Sequence, residues 1–225
     1  MTRLVVFDMD DTLFPEHEFV RSGFNAVADY MEERFGIEGF FDAAWKRFVE
    51  GERDKIFNQI MGDEGLEADS KTIGRLLEIY RSHYPKISLF KDARWALEYC
   101  SAIVPLAMIS DGYLATQKNK AEALKIERFF QKVYFTDKWG RDCWKPSTRA
   151  FEMAEKEFSV SGSECVYVSD NPTKDFIGPN KLGWKSVHIE RKEGVYAGVE
   201  IPQGGEPEAR ISSLYDLKQV LNMRA

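Results

Sequence analysis

The chain has 225 residues, 44% of them hydrophobic, enough to bury a sizeable core and to exclude a disordered polymer. Thirty-one basic residues against thirty-seven acidic ones leave a net charge of −6, which repels nucleic-acid backbones and anionic lipid while permitting a local basic pocket for a small anion. The three cysteines (Cys100, Cys143 and Cys165) are odd in number and far apart, which argues against a disulfide framework or a zinc knuckle, and the longest apolar run, Ala102–Ile109, is too short to span a membrane. These features point to a cytoplasmic protein without nucleic-acid or membrane partners, and they leave its oligomeric state open.

The first predicted element is a strand over Leu4–Phe7, which runs into Asp8-Met9-Asp10-Asp11. If extended geometry persists, Asp8 and Asp10 point the same way into one crevice. Two neighbouring carboxylates repel unless a cation compensates, and Mg2+ prefers such oxygen ligands. Asp8 is then placed to attack phosphorus, and Asp10 to protonate the leaving oxygen and later deprotonate a water. The alternative is an acidic turn that merely ends a strand.

From Pro15 to about Lys91 no convincing strand occurs. Val20, Phe24, Val27, Met31 and Phe35, then Phe41, Ala44, Trp45 and Phe48, then Ile73, Leu76, Leu77 and Tyr80 recur at helical spacing. About four helices are expected, inserted where open α/β sheets bind ligands, so the insertion reads as a lid. His17, Arg21, Arg53, Lys55 and His83 are its candidates for reading a leaving group, with Arg21 and His17 nearest the first acidic run. Phe40, Phe41, Trp45 and Phe48 read as the insertion's own core.

A helix carrying Trp95, Leu97 and Tyr99 precedes a strand over Ile103–Ile109, which ends on Ser110-Asp111-Gly112 before a helix with Leu114, Ala121 and Leu124. Backbone amides at that helix start can meet an anion, Ser110 adds a hydroxyl, and Gly112 allows close approach; the turn is equally a common helix cap. After a strand over Lys132–Phe135, Lys145 precedes Pro146, which is read as opening the helix with Phe151, Ala154 and Phe158, and its ammonium can offset phosphate charge. A strand over Cys165–Val168 leads to Asp170 and Asp175, which bracket Asn171-Pro172-Thr173-Lys174. They can complete a metal shell and orient the lysine, or form an Asx turn capping a helix that ends near Gly183. A strand over Ser186–Ile189, a loop over Glu190–Glu208 and a closing helix with Leu214, Leu217, Val220 and Leu221 finish the chain. The alternation argues an α/β, mostly parallel sheet with right-handed crossovers.

These four runs, in this order, resemble the haloacid dehalogenase superfamily, in its phosphatase branch with a helical cap inserted after the first strand. The resemblance implies a Rossmann-like core (residues 1–14 and 92–225) with the first strand central, an all-helical cap (15–91), and Mg2+-dependent hydrolysis of a small phosphorylated metabolite. It implies Asp8 as nucleophile and metal ligand, Asp10 as acid/base with its carbonyl on the metal, and Asp170 as a further ligand. Ser110, Asp111, Gly112 and Lys145 would bind phosphate, with Asn171 and Asp175 in support. Asp111 stands where similar proteins often carry Asn, and Ser169 where Gly is usual. A phosphomutase, a dehalogenase and a non-catalytic phospho-aspartate receiver module are the alternatives; Asp10 argues against a dehalogenase, and the long insertion against a receiver.

Overall fold

The structure is a computed structural model that describes residues 1–192, 194–196 and 198–221. Its elements begin with β1 (Leu4–Phe7), α1 (Glu16–Phe35), α2 (Phe40–Val49), α3 (Ile56–Asp63), α4 (Ser70–Ser82), α5 (Lys91–Ser101), β2 (Leu106–Ser110) and α6 (Leu114–Leu124). They continue with β3 (Lys132–Phe135), α7 (Arg149–Phe158), β4 (Cys165–Ser169), α8 (Ile177–Lys181), β5 (Lys185–Ile189), β6 (Ala209–Ile211) and α9 (Leu217–Val220). Two compact units result, one of Met1–Glu16 with Ser88–Ala225 and one of His17–Ile87, against expected divisions after residue 14 and before residue 92.

In the first unit the strands form one parallel sheet in the order β3-β2-β1-β4-β5-β6. β1, β2 and β4 are buried along their whole length, which is why they read as unbroken apolar runs. The strand order reverses between β1 and β4, so the crevice of this α/β sheet lies at their carboxyl ends. Phe151 of α7 stacks edge-on against Tyr167 of β4 at 5.0 Å and against Trp184 at 5.3 Å, packing that helix on the sheet beside the crevice. In the second unit, α1 to α4 close around Phe24, whose ring meets Phe48, Phe57 and Tyr80. Phe40 is buried there, with Phe41, Trp45 and Phe48 packed against the same cluster.

Several boundaries differ from the expectations. β2 starts at Leu106 rather than Ile103, because Pro105 lacks the amide a ladder needs. α7 starts at Arg149, so Pro146 lies in the turn before it and does not open the helix. β6 was not anticipated: its three residues bury only Ile211, too short a pattern to read. The closing helix is a 3-10 turn followed by the four-residue α9, and residues 193 and 197 of the expected tail loop lie outside the described residues. All three cysteines are free and buried.

Asp92, in the first turn of α5, ties that helix to two distant segments. It takes Arg191 through both oxygens at 2.8 and 3.1 Å, the Leu214 amide at 2.9 Å and the Ser213 hydroxyl at 3.2 Å. Burial pushes its pKa up, but the Arg191 guanidinium and the Leu214 amide outweigh burial and hold it below the ordinary carboxylate value. The contribution is therefore complete above about pH 4 and is lost as pH falls through the lower folded value. Asp92→Ala is expected to cost roughly 3 kcal/mol at pH 7 by urea unfolding, with the gap to the unsubstituted protein narrowing near about pH 3.

Candidate active site

Strand register brings the distant acids together. Phe7 pairs with Val168 on one side and Met108 on the other, so Asp8 emerges beside the ends of β4 and β2, where Asp170 and Ser110 sit. The Asp8 amide donates to the Val168 carbonyl at 2.9 Å, extending the ladder to the nucleophile candidate itself. Beyond it the chain turns sharply: the Leu13 amide donates to the Met9 carbonyl at 2.9 Å and Asp11 adopts φ +46°.

Lys145, in the turn before α7, is the hub of the crevice. Its ammonium donates to Asp8 Oδ1 at 2.5 Å, Asp175 Oδ2 at 2.8 Å and the Tyr167 hydroxyl at 2.9 Å. Burial pushes the Asp8 carboxyl up to about 7, with Asp175 and Asp10 adding repulsion that Lys145 only partly offsets. Burial also opposes the charge on Asp175, but Lys145 and Lys174 outweigh it and hold that carboxyl low. Asp175 and Asp8 in turn keep Lys145 protonated in spite of its burial.

Asp170 exchanges hydrogen bonds with Thr12, its Oδ1 accepting from the hydroxyl at 3.2 Å and its amide donating to Oγ1 at 3.1 Å. Among the described residues no ammonium or guanidinium pairs with it. Its pKa lies well above the ordinary value because of burial and then the Asp8 carboxylate.

A cavity of about 270 Å³ opens here, lined by Asp8, Asp10, Asp111, Gly112, Lys145, Asp170, Asn171 and Asp175. All the expected residues are thus brought together except Ser110, which ends β2 beneath the lining, 1% exposed, with a hydroxyl that has no partner among the described residues. Asn171 lines the cavity, and its Oδ1 accepts from the Thr173 amide at 3.0 Å and the Thr173 hydroxyl at 2.7 Å, closing an Asx turn that does not cap α8, whose N-cap is Phe176. The amide of Leu114, expected to be available to an anion, instead donates to Asp137 Oδ2 at 2.9 Å.

Asp111 has a structural task. It accepts from the Thr136 hydroxyl at 2.8 Å, from the Lys145 amide at 3.2 Å and from the Lys174 ammonium. Lys174 supplies the charge that a carboxylate needs in place of a neutral amide, so the two departures from neutrality compensate one another. Gly112 has φ +122°, and a Cβ on it would lie 2.7 Å from Gln117 Nε2, so this glycine makes room for a side chain of α6.

Sequence reasoning missed Glu16, Gln117, Lys120, Trp144 as a lining residue, Lys174 and Tyr196. Gln117 and Lys120 bind the two oxygens of Asp10, at 2.7 and 2.6 Å. Glu16 is pushed up to about 7 by burial and then by Asp10. The insertion's candidates are engaged within their own unit: Arg21 lies over the Phe41 and Trp45 rings at 6.0 and 5.8 Å, Arg53 over Phe48 at 4.1 Å, and His83 Nδ1 is 2.7 Å from the Tyr80 carbonyl. Lys55 caps α3 in a left-handed conformation, and His17 lies in α1.

The cavity gathers six carboxylates (Asp8, Asp10, Glu16, Asp111, Asp170 and Asp175) against three ammonium groups (Lys120, Lys145 and Lys174). Among the described residues no three Asp, Glu, His or Cys side chains form a metal cage by themselves. The donor set instead suits a hard cation that takes one or two carboxylates and keeps waters. Asp8 and Asp170 present carboxylates that could serve such a cation, and the Asp10 carbonyl, which accepts the Thr12 amide at 2.5 Å, retains a second lone pair.

Residues 5–189 match the family model of haloacid dehalogenase-like hydrolases. The glyceraldehyde 3-phosphate phosphatase of Methanocaldococcus jannaschii is 26% identical over 240 residues, spanning 98% of this chain and 97% of that protein. The (S)-2-haloacid dehalogenase 2 of a Pseudomonas species is 30% identical over 142 residues, 63% of this chain and 59% of that one. In fold, the HAD-hydrolase YfnB of Bacillus subtilis, solved bound to magnesium, superposes with a TM-score of 0.71 at 18% identity, covering 99% of both chains.

Proposed function

The chain belongs to the haloacid dehalogenase-like hydrolases, and from that premise we propose that it is a Mg2+-dependent phosphatase of small phosphomonoesters working through an aspartyl phosphate. The observation that carries this reading is the convergence of Asp8, Asp10, Lys145 and Asp170 on one cavity of about 270 Å³ at the sheet's switch point.

Lys145 fixes Asp8 through Oδ1, so Oδ2 is the oxygen that attacks phosphorus as the ester bond breaks. Asp10 gives its proton to the departing oxygen. A water then attacks the phosphoryl group, Asp10 takes its proton, the Asp8–phosphorus bond breaks, and inorganic phosphate leaves. Mg2+ held by Asp8, Asp170 and the Asp10 carbonyl would neutralise phosphate charge. Lys145 and the Ser110 hydroxyl supply positive charge and a donor from the protein itself.

A cavity of this size suits a phosphoryl group on a short carbon chain, and the name of the M. jannaschii relative makes glyceraldehyde 3-phosphate the first substrate to test. The partial match to a haloacid dehalogenase keeps that chemistry as a second reading. A halide leaves without a proton, so dehalogenation would give Asp10 no task.

We expect phosphate release from three-carbon phosphomonoesters with Mg2+ present and none after chelation, and no halide release from 2-chloropropionate. Isomerised sugar phosphate in place of free phosphate would make the chain a mutase, and a long-lived phosphoprotein without turnover would make it a receiver module.

A further inference from the structure

Asp10 is gripped from one side by a single helix face. Gln117 and Lys120 stand three residues apart on α6, where side chains share a face, and each donates to a different oxygen of the same carboxyl, at 2.7 and 2.6 Å. The Lys120 side chain is only 4% exposed, with its ammonium 5.7 Å from the Phe14 ring centre. Burying an ammonium is costly unless its partner is held in good geometry, so this lysine is not a solvated surface charge. Gly112 completes the device, because any Cβ there would displace the Gln117 amide.

We propose that Lys120 and Gln117 are positioning residues that hold the Asp10 carboxyl in the one orientation from which it protonates the leaving oxygen and then deprotonates the attacking water. The inference rests on the phosphatase reading above and extends it to two residues of α6. A carboxylate has about four lone-pair sites, so two donors leave room for the proton that Asp10 must carry. Neither residue gives up a proton or touches phosphorus; the bond changes remain those at Asp8 and Asp10.

Leaving-group chemistry supplies the test, because an alkoxide must be protonated as it departs and nitrophenolate need not be. With D-glyceraldehyde 3-phosphate, Lys120→Met is expected to lower kcat by about 100-fold and Gln117→Leu by about 10-fold, with KM changed less than about threefold. With p-nitrophenyl phosphate, the first turnover of nitrophenolate slows less than about threefold in both variants, and a burst appears as water attack becomes limiting. Lys120→Met adds no further loss in an Asp10→Asn background, since residues acting through one another are not additive.

Equal losses on the two esters in the first turnover, or losses that multiply in the double variant, would overturn the proposal. So would unchanged kinetics in a folded Lys120→Met protein. If that variant does not fold, Gln117→Leu and Lys120→Arg carry the same contrast. An unsubstituted enzyme that hydrolyses neither ester removes the phosphatase reading along with the clamp, whereas an active enzyme without the leaving-group contrast removes the clamp alone.

Discussion

Asp8→Asn is expected to reduce phosphate release by roughly 10⁴-fold or more while the protein stays folded. The carboxamide has no anionic oxygen to attack phosphorus, so no covalent intermediate forms, yet its carbonyl still accepts from Lys145 as Oδ1 does now. Electrostatics favour a folded variant. Burial first, and then neighbouring acids, raise both Asp8 and Asp170, with Asp8 the leading charge acting on Asp170, so a neutral side chain at position 8 relieves part of that repulsion. Loss of the Lys145 charge partner works the other way, but Asp175 still holds that ammonium at 2.8 Å. The unfolding temperature is accordingly expected to move by less than about 5 °C. Phosphate release within about tenfold of the unsubstituted enzyme would remove Asp8 from the nucleophile role.

The parts of this site that sequence made legible are those attached to strand ends. β1, β2 and β4 are short, apolar and bounded by acids or turn residues, so Asp8, Ser110 and Asp170 announce themselves by position. Lys145 is legible through its place in the series of runs, although its hub role depends on Tyr167 and Asp175, which only the fold brings to it. Lys120 and Gln117 are illegible for a physical reason: in the sequence of α6 a lysine and a glutamine read as ordinary helix formers on a wet face. Their burial follows from the way α6 packs, which helical spacing does not determine. The Asp111–Lys174 pair escaped for a related reason, since each residue alone is a common turn or surface choice and only their contact explains both. At β6 and at the start of α7 the local pattern was too short, or the proline signal too general, to fix the boundary.

The second large effect concerns the cation. Six carboxylates and three ammonium groups share one cavity, and among the described residues the Asp170 carboxyl is steadied by the Thr12 hydroxyl and by no ammonium or guanidinium. A divalent cation that binds this arrangement in the folded chain, and finds no such cluster in the unfolded one, stabilises the protein by mass action. At a concentration about 100 times its dissociation constant the gain is about 2.7 kcal/mol, which for a chain of this length raises the unfolding temperature by roughly 5–10 °C. The shift should appear with Mg2+ at constant ionic strength and vanish on chelation, so that it reports binding without relying on turnover. Asp170→Asn is expected to lose most of the shift and most of the Mg2+-stimulated hydrolysis together, because it removes one of the two carboxylates while keeping a side chain able to accept from Thr12. Lys174→Met makes the opposite case: it deletes an ammonium from the same cavity, so Mg2+ should bind at least as tightly, and the shift should persist or grow. An unfolding temperature indifferent to Mg2+ in the unsubstituted protein would show that the acids of β1 and β4 hold no cation in common.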